Sequence, residues 1–511
     1  MKNVFERIRR AALPFQDKRD DEGHAETVVE FAEILCKLAN TDRDIVIPAA
    51  ILHDIGWSRV PKEEALKIFP KDIPEEEKMR IKKMHEKEGA LLARQILSKE
   101  NYDAKKIGEI LGIVSGHDTR EGFLSENEKA LASDLEDIKN QYDKIVIAFS
   151  FFTTQIWDVE RILNKIKRDR SDKLFFLSGG PHPSGDPRGT LKMGFDAAVI
   201  GEGEEAVIEL LEKIGQGEDC RTAKGLGFLD QNEKYCFSGK RTPLDLDDYP
   251  PFAVKHKKFG PIEISRGCSF ACRFCQTSFL FGASIRHRSV ENICKYVKIM
   301  NTENMKYIRF TAPNVLAYGS NDGKKPNLPE LKRLLSGVRN IIGNKKDIFI
   351  GSFPSEARPE QVTPECLRII LKYANNDNLI IGAQSGSQRM LDLCHRGHTV
   401  KDVFRAVRLT TEAGLEANVD FIFGLPGETK EDVRLTLEVM SRLVDMGARI
   451  HAHAFMPLVG TPFANMPAGK VAAATRKAIG KLIPRDIVYG DWQKQEQLAK
   501  KIEKYISSRG I

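Results

Sequence analysis

Several things are missing from this chain of 511 residues, and each absence narrows the field. No run approaches 18 apolar residues, and a stretch such as Ile145-Val146-Ile147-Ala148-Phe149 has only strand length, so no helical membrane span is expected. The opening residues, Met1-Lys2-Asn3-Val4-Phe5-Glu6-Arg7, lack the apolar core of a signal peptide. The 9 cysteines show no paired spacing of the disulfide-framework kind, which fits a reducing cytoplasm. There is no internal repeat and no low-complexity segment. Large excess charge is also absent: the net +7 is spread over Lys/Glu-rich helical stretches, which read as solvated helix faces rather than a nucleic-acid footprint.

What is present suggests about three domains for this length. Cys268-x-x-x-Cys272-x-x-Cys275 follows the strand-like run Pro261-Ile262-Glu263-Ile264-Ser265. Three thiolates so close, with no fourth nearby, can hold three irons of a [4Fe–4S] cluster and leave one iron without a protein ligand. Phe274, aromatic, precedes the last cysteine. The motif resembles that of the radical SAM superfamily, C-x-x-x-C-x-φ-C. The resemblance implies that the open iron chelates S-adenosylmethionine, whose reductive cleavage gives a 5′-deoxyadenosyl radical that abstracts a substrate hydrogen. A small electron donor of ferredoxin or flavodoxin type is then an expected partner. The cofactor carries the hard chemistry, and the protein orients it and excludes water.

Residues 1–140 read as helical, with apolar residues at i, i+3, i+4 and i+7 in Glu26–Ala39 and Gly89–Leu97. Their polar candidates are His24, the pair His53-Asp54, His85, His117 and Asp134. A His and an Asp ending a buried helix are costly unless they bind something, and imidazole with carboxylate suits Fe, Mn, Zn or Ni. The order of these residues, and above all Leu52-His53-Asp54-Ile55-Gly56, resembles the HD-domain metal-dependent phosphohydrolases. Carried over, His24, His53, Asp54 and Asp134 ligate a divalent metal. His85 and His117 ligate a second metal or contact phosphate, and Asp54, His85 and His117 form the catalytic set. Metal-bound water would attack a phosphoester. Ser133-Asp134-Leu135 departs from the family's usual Asp-Ala-Asp context, which bears on turnover more than on binding.

Residues 141–250 alternate strand and helix: Asp143–Ser150, then Val159–Ile166, then Lys173–Ser178 running into Gly179-Gly180-Pro181-His182. Ala197–Ile200 runs into Gly201-Glu202-Gly203-Glu204. Such alternation implies a parallel sheet whose ligands gather at the strands' carboxyl ends. The two glycine turns resemble those of the cobalamin-binding domain that precedes many radical SAM cores. That family's first βα unit carries Asp-x-His-x-x-Gly, and no such motif occurs here. The resemblance therefore covers a truncated domain beginning at the third strand. It sets cobalamin binding against a vestigial scaffold and gives His182 a turn or capping role rather than a place on cobalt.

Residues 251–470 repeat a β/α pattern. Besides Pro261–Ser265, the strand-like runs are Lys306–Phe310, Asp347–Gly351, Asn378–Gly382, Val419–Phe423 and Ile450–Phe455. Six units with functional residues past the strands imply an open barrel with its site at the carboxyl face. By resemblance to the radical SAM core, Thr311 and Asn314 contact the methionyl amino group and Gln384 and Ser385 the ribose. Gly424 and Pro426 belong to the loop supporting the adenine, and Phe274 borders the cofactor. Gln384 stands where the family usually has Glu and loses charge-assisted bonding. Arg266, Arg286, Arg288 and Arg309 are candidates for an anionic group, with surface ion pairs as the default. Cys294, Cys366 and Cys394 read as packed thiols, and residues 471–511 as a helical extension.

The expected architecture is multidomain. An all-α HD domain precedes an α/β partial Rossmann-like, cobalamin-binding-like domain, and a partial (β/α)6 TIM-type barrel follows. The expected activity is S-adenosylmethionine cleavage and hydrogen abstraction, leading on to methyl or sulfur-group transfer. The alternatives are phosphohydrolysis by the front end as the main function, or a front end that senses without turnover.

Overall fold

Two units divide the chain, Met1–Asp137 and Ile138–Ile511. The computed structural model describes residues 2–15, 28–29, 32–33, 36, 41–61, 64, 75–114, 142–167, 173–256, 258–303, 305–485 and 487–509.

In the first unit, helices Lys2–Ala12, Arg43–Leu52, Glu75–Lys99 and Ala104–Val114 pack around Ile8, Ile47, Ile51, Leu52, Leu92, Leu97 and Ile110. Asp42 starts the second of these by accepting the Asp44 N–H at 2.9 Å, satisfying one of the orphan donors of a helix start. The helix ends at His53, and Ile55–Arg59 turns tightly below it. Gly56 is required there: a Cβ would overlap the His85 carbonyl oxygen and crowd the Gly89 backbone. The expected helical stretch Gly89–Leu97 lies within Glu75–Lys99. Most of Glu26–Ala39 lies outside the described residues.

The second unit opens with a five-stranded sheet in sequential order: β1 (Ile145–Ser150), β2 (Leu174–Gly179), β3 (Ala197–Val199), β4 (Leu226–Leu229) and β5 (Tyr235–Phe237). The first three are parallel, as the helical crossovers dictate. β4 and β5 form an antiparallel hairpin, which the sequence reading did not anticipate. Its signature was there in Asp230–Lys234, where Asp230 caps the turn by accepting N–H groups from Asn232 and Lys234 at 2.9 Å.

The barrel follows: β6 (Ile262–Glu263), β7 (Ser265–Arg266), β8 (Arg286–His287), β9 (Tyr307–Thr311), β10 (Asp347–Phe349), β11 (Asn378–Gln384), β12 (Glu416–Phe423), β13 (Arg449–Ala454) and β14 (Val488–Tyr489). β7 and β8 pair antiparallel as a separate ribbon. The wall is two parallel sheets, β10-β9-β6 and β11-β12-β13-β14, joined by the parallel bridge Ala357–Ile381. The six expected strands are all present. A seventh, β14, adds to β13 from residues read as helical extension, between helices Ala473–Leu482 and Trp492–Arg509. Ile308, Phe310, Ile348, Leu379, Ile381, Val419, Phe421 and Ile450 are buried in one core with the flanking helices. Alternate strand positions are thereby committed to the helices, leaving the others for the interior.

Candidate functional site

The cysteine loop is fixed by its backbone. Gly267 has φ +87°, and a Cβ there would overlap the Ser284 carbonyl oxygen, so only glycine lets β7 enter the loop without strain. The Cys268 N–H donates to the Gly282 carbonyl at 3.2 Å, and Ser278 Oγ donates to the Cys268 carbonyl at 2.6 Å. The Arg273 N–H reaches the Cys394 carbonyl at 3.1 Å, and Phe463 N–H reaches the Arg273 carbonyl at 3.2 Å. Both contacts tie the loop to the far side of the barrel.

Cys268, Cys272 and Cys275 then line one cavity of about 320 Å³, together with Ala312, Pro313, Glu356, Asp420, His451 and His453. All three thiols are free of disulfides. Arg396 donates from Nη1 to Cys272 Sγ at 3.5 Å and from Nη2 to the Gly382 carbonyl at 2.7 Å. Burial works against the charge on Arg396, but the Cys272 sulfur and the Glu356 carboxyl outweigh it and hold its pKa above the ordinary value. Burial pushes the Cys275 thiol up, opposed by Thr277, whose hydroxyl lies 3.3 Å from the sulfur. A buried cation beside a sulfur, and a hydroxyl beside another, suit thiolates bound to iron better than neutral thiols. The residues therefore fit a three-cysteine cluster.

A second cavity, about 270 Å³, shares Glu356, Asp420 and His453 with the first and is lined by Phe274, Gln384, Phe455 and Gln495. Gln384 ends β11 with φ +69°. Thr311 ends β9 and Asn314 is buried just beyond it, but neither lines either cavity, and Asn314 Nδ2 donates to the Gly323 carbonyl at 3.5 Å. Ser385 does not line either cavity: its hydroxyl lies 3.3 Å from Thr436 Oγ1, holding loop to helix. The Gly424 N–H donates to Glu428 Oε2 at 3.1 Å, and Leu425 is buried beside Phe455, so the Gly424–Glu428 turn is braced on the apolar floor.

Of the arginines singled out from the sequence, two are paired with carboxylates and two donate to neutral groups. Arg266 pairs with Glu202, Glu204 and Glu263 at 2.7–3.0 Å, and Arg286 with Glu202 at 2.7 Å. Arg288 is buried and donates to the Glu263 and Tyr249 carbonyls, and Arg309 donates to the Phe353 carbonyl. Cys366 and Cys394 are buried thiols, the latter pushed up by burial to about 12. Sequence reading missed Arg396, Glu356 and the group Asp420, His451, His453 and Gln495. A polar residue at every second position of an otherwise apolar strand, as in His451-Ala452-His453, was the available clue.

At the carboxyl ends of β1, β2 and β3 a cavity of about 340 Å³ is lined by Ser150, Gly179, Gly180, Gly201, Glu202, Gly203 and, from the barrel, Arg266 and Phe281. Its lining contains no imidazole. His182 is buried elsewhere, with Nδ1 3.2 Å from Thr153 Oγ1 and Nε2 3.4 Å from the Tyr505 hydroxyl, and burial lowers its pKa to about 3. The glycine-lined strand ends suit a nucleotide-like group, but cobalt would find no ligand in His182.

In the first unit, His53 Nδ1 donates to the Ala50 carbonyl at 2.8 Å, and its Nε2 lies 3.1 Å from Asp54 Oδ2. His85 Nε2 approaches Asp54 Oδ1 at 3.4 Å, with its ring stacked 4.1 Å from Trp57. A histidine anchored through one nitrogen to a carbonyl has its other nitrogen placed where a metal could take it. His24, His117 and Asp134 lie outside the described residues.

Residues 22–139 match the HD domain model, residues 115–211 the B12 binding domain model, and residues 262–440 the Radical SAM superfamily model. An uncharacterized protein of Methanopyrus kandleri is 27% identical over 61% of this chain and 66% of its own length. An uncharacterized methyltransferase of Pyrococcus horikoshii is 25% identical over 61% of this chain and 67% of its own. The chain thus spans about two thirds of the length of these curated relatives. Among solved structures, the radical S-adenosylmethionine methyltransferase TsrM from Kitasatospora setae, with cobalamin and a [4Fe-4S] cluster bound, superposes with a TM-score of 0.55 at 16% identity, covering 67% of this chain and 70% of that one. That likeness is one of fold. No helix among the described residues is long and apolar enough to cross a membrane.

Proposed function

We propose, for an enzyme chain that joins HD, B12-binding and radical SAM domains, that its reaction is reductive cleavage of S-adenosylmethionine, with hydrogen abstraction and methyl or sulfur-group transfer onto a substrate held in the barrel. The observation that carries this reading is the convergence of Cys268, Cys272 and Cys275 on one cavity, with the Arg396 guanidinium at the Cys272 sulfur. When bound, a [4Fe–4S] cluster supplies the electron and an open iron for the methionyl end of the cofactor. The chain's own groups do the rest. Arg396 offsets the negative charge at the buried sulfur, and Thr277 does the same at Cys275. Gln384 and Phe274 present an amide and a ring face to the adjoining cavity, where a nucleoside would lie. Phe455, Leu425 and Met390 make an apolar floor that keeps water from the reacting region. Cobalamin, held at the glycine turns after β2 and β3, would sit without an imidazole from His182, and a small ferredoxin- or flavodoxin-type donor would supply the electron. Reduced, reconstituted protein incubated with S-adenosylmethionine should release 5′-deoxyadenosine, and a Cys272→Ala variant should not; no release from the wild type defeats the proposal.

A second activity, metal-dependent phosphoester hydrolysis by the HD domain, is favoured by the meeting of His53 and His85 at the Asp54 carboxylate. Here His24, His53, Asp54 and Asp134 would hold a divalent ion that lowers the pKa of its water, with His85 and His117 on a second metal or the phosphate. A phosphodiesterase assay with Mn2+ or Fe2+ on an Asp54→Ala variant tests it. Turnover unchanged by the substitution removes these ligands from the reaction, and metal bound without any turnover makes the domain a sensor.

A further inference from the structure

We infer that Asp420, His451 and His453 form a separate metal site inside the barrel wall, for one divalent ion of the zinc or ferrous class, opening on the cluster cavity. Register brings the three together: Asp420 on β12 pairs directly with His451 on β13, and His453 is two residues further along the same strand face. Their neighbours Val419, Phe421, Ile450 and Ala452 are buried on the opposite face, so the polar positions point inward.

The spacing suits a metal. His451 Nδ1 lies 2.9 Å from Asp420 Oδ1 and 3.1 Å from His453 Nε2, and all three donor atoms fall within 4.8 Å of one another. Donors at about 2.1 Å stand roughly 3.0 Å apart at the right angles of an octahedral ferrous ion and roughly 3.4 Å apart at the tetrahedral angle of zinc. Two imidazoles and one carboxylate on one face are a donor set for Fe2+ or Zn2+ rather than for Mg2+ or Ca2+.

The hydrogen bonds around His453 show how it would join. The Ala454 N–H donates to Gln495 Oε1 at 2.9 Å, which turns the amide nitrogen toward His453 Nδ1, 3.2 Å away. His453 Nδ1 therefore accepts, and its Nε2 carries the proton that faces His451 Nδ1. A cation held by Asp420 and His451 Nδ1 would take His453 through Nε2 once that ring's proton sits on Nδ1, where an acceptor is needed. Gln495 can supply one only by giving up the Ala454 bond, whereas a carboxylate at 495 would serve both. The cysteines line the same cavity, so the ion's remaining positions face the reaction space and would take an oxygen or nitrogen of the substrate.

The test is zinc binding to the full-length, anaerobically reconstituted protein, whose cysteines are then occupied, with no S-adenosylmethionine present. Wild type should retain one equivalent of Zn2+ more than His451→Ala and His453→Ala, at equal cluster iron, and Asp54→Ala should leave that equivalent in place. Gln495→Glu should tighten zinc about tenfold, in line with the effect of the partners that orient metal-bound histidines. If the histidine variants lose cluster iron as well, the Gln495→Glu affinity decides. Equal zinc in wild type and both histidine variants, or an affinity unmoved by Gln495→Glu, overturns the site. Because zinc is read without the cofactor, loss of this site leaves S-adenosylmethionine cleavage standing, and failure of cleavage leaves the site standing.

Discussion

Arg396 holds a guanidinium nitrogen 3.5 Å from the sulfur of Cys272 while its side chain keeps only 4% of its surface exposed. A cation so placed has little meaning for a neutral thiol. Beside a cluster that gains negative charge on reduction, it stabilises the reduced state.

Replacing it with a neutral side chain of similar length, Arg396→Met, should make the cluster harder to reduce, moving its midpoint negative by on the order of tens of millivolts. A redox titration followed by electron paramagnetic resonance reads this. A midpoint that stays put would mean the guanidinium does not sense the cluster.

Gly267→Ala forces a Cβ against the Ser284 carbonyl at a φ of +87°. The substitution should cost about 1–3 kcal/mol of stability and lower iron incorporation, because the loop leaves β7 at this residue. Thermal unfolding and iron content together check it; a variant as stable and as iron-rich as wild type contradicts the strain.

Glu428 gives a pH signature. Burial lifts its carboxyl to about 7, with the Gly424 N–H opposing, against an ordinary value of 4.5. Below the ordinary value both states hold the proton. As pH rises from there to about 7 the unfolded chain releases it first, so this contribution to stability is lost across that window. Glu428→Gln should flatten this decline and be the more stable form at pH 8, by roughly 2 kcal/mol. Parallel pH–stability curves for the two proteins would show that Glu428 ionises freely.

Glu202 ties the sheet to the barrel by accepting from Arg266, Arg286 and the Leu244 N–H at 2.7–3.1 Å. Glu202→Gln should loosen this junction at a cost of about 2–3 kcal/mol. Limited proteolysis should then cut faster between residues 240 and 262, and unchanged protection would place the docking energy elsewhere.

The barrel was readable in advance because a strand buried on the helix side declares itself as an apolar run, and because the cysteine spacing is short-range. The hairpin β4–β5 was passed over because its strands are only 4 and 3 residues long, although its turn carried a signature. The His451–His453–Asp420 group was invisible for a different reason: it exists only once β12 and β13 are in register, and its fourth partner, Gln495, comes from a helix more than forty residues on. Arg396 likewise reaches Cys272 across 124 positions of sequence. In the HD domain the local pair His53-Asp54 was legible, while its meeting with His85 depended on the close approach at Gly56.

The central claim is an iron left open by three cysteine ligands and taken up by S-adenosylmethionine. Electron–nuclear double resonance on the reduced cluster, with the cofactor labelled at its amino nitrogen and carboxylate, tests this most directly. The account predicts nitrogen and carboxylate couplings that appear on adding the labelled cofactor and vanish in Cys275→Ala. A reduced cluster whose spectrum is indifferent to the cofactor, with all four irons already held by protein side chains, would contradict it.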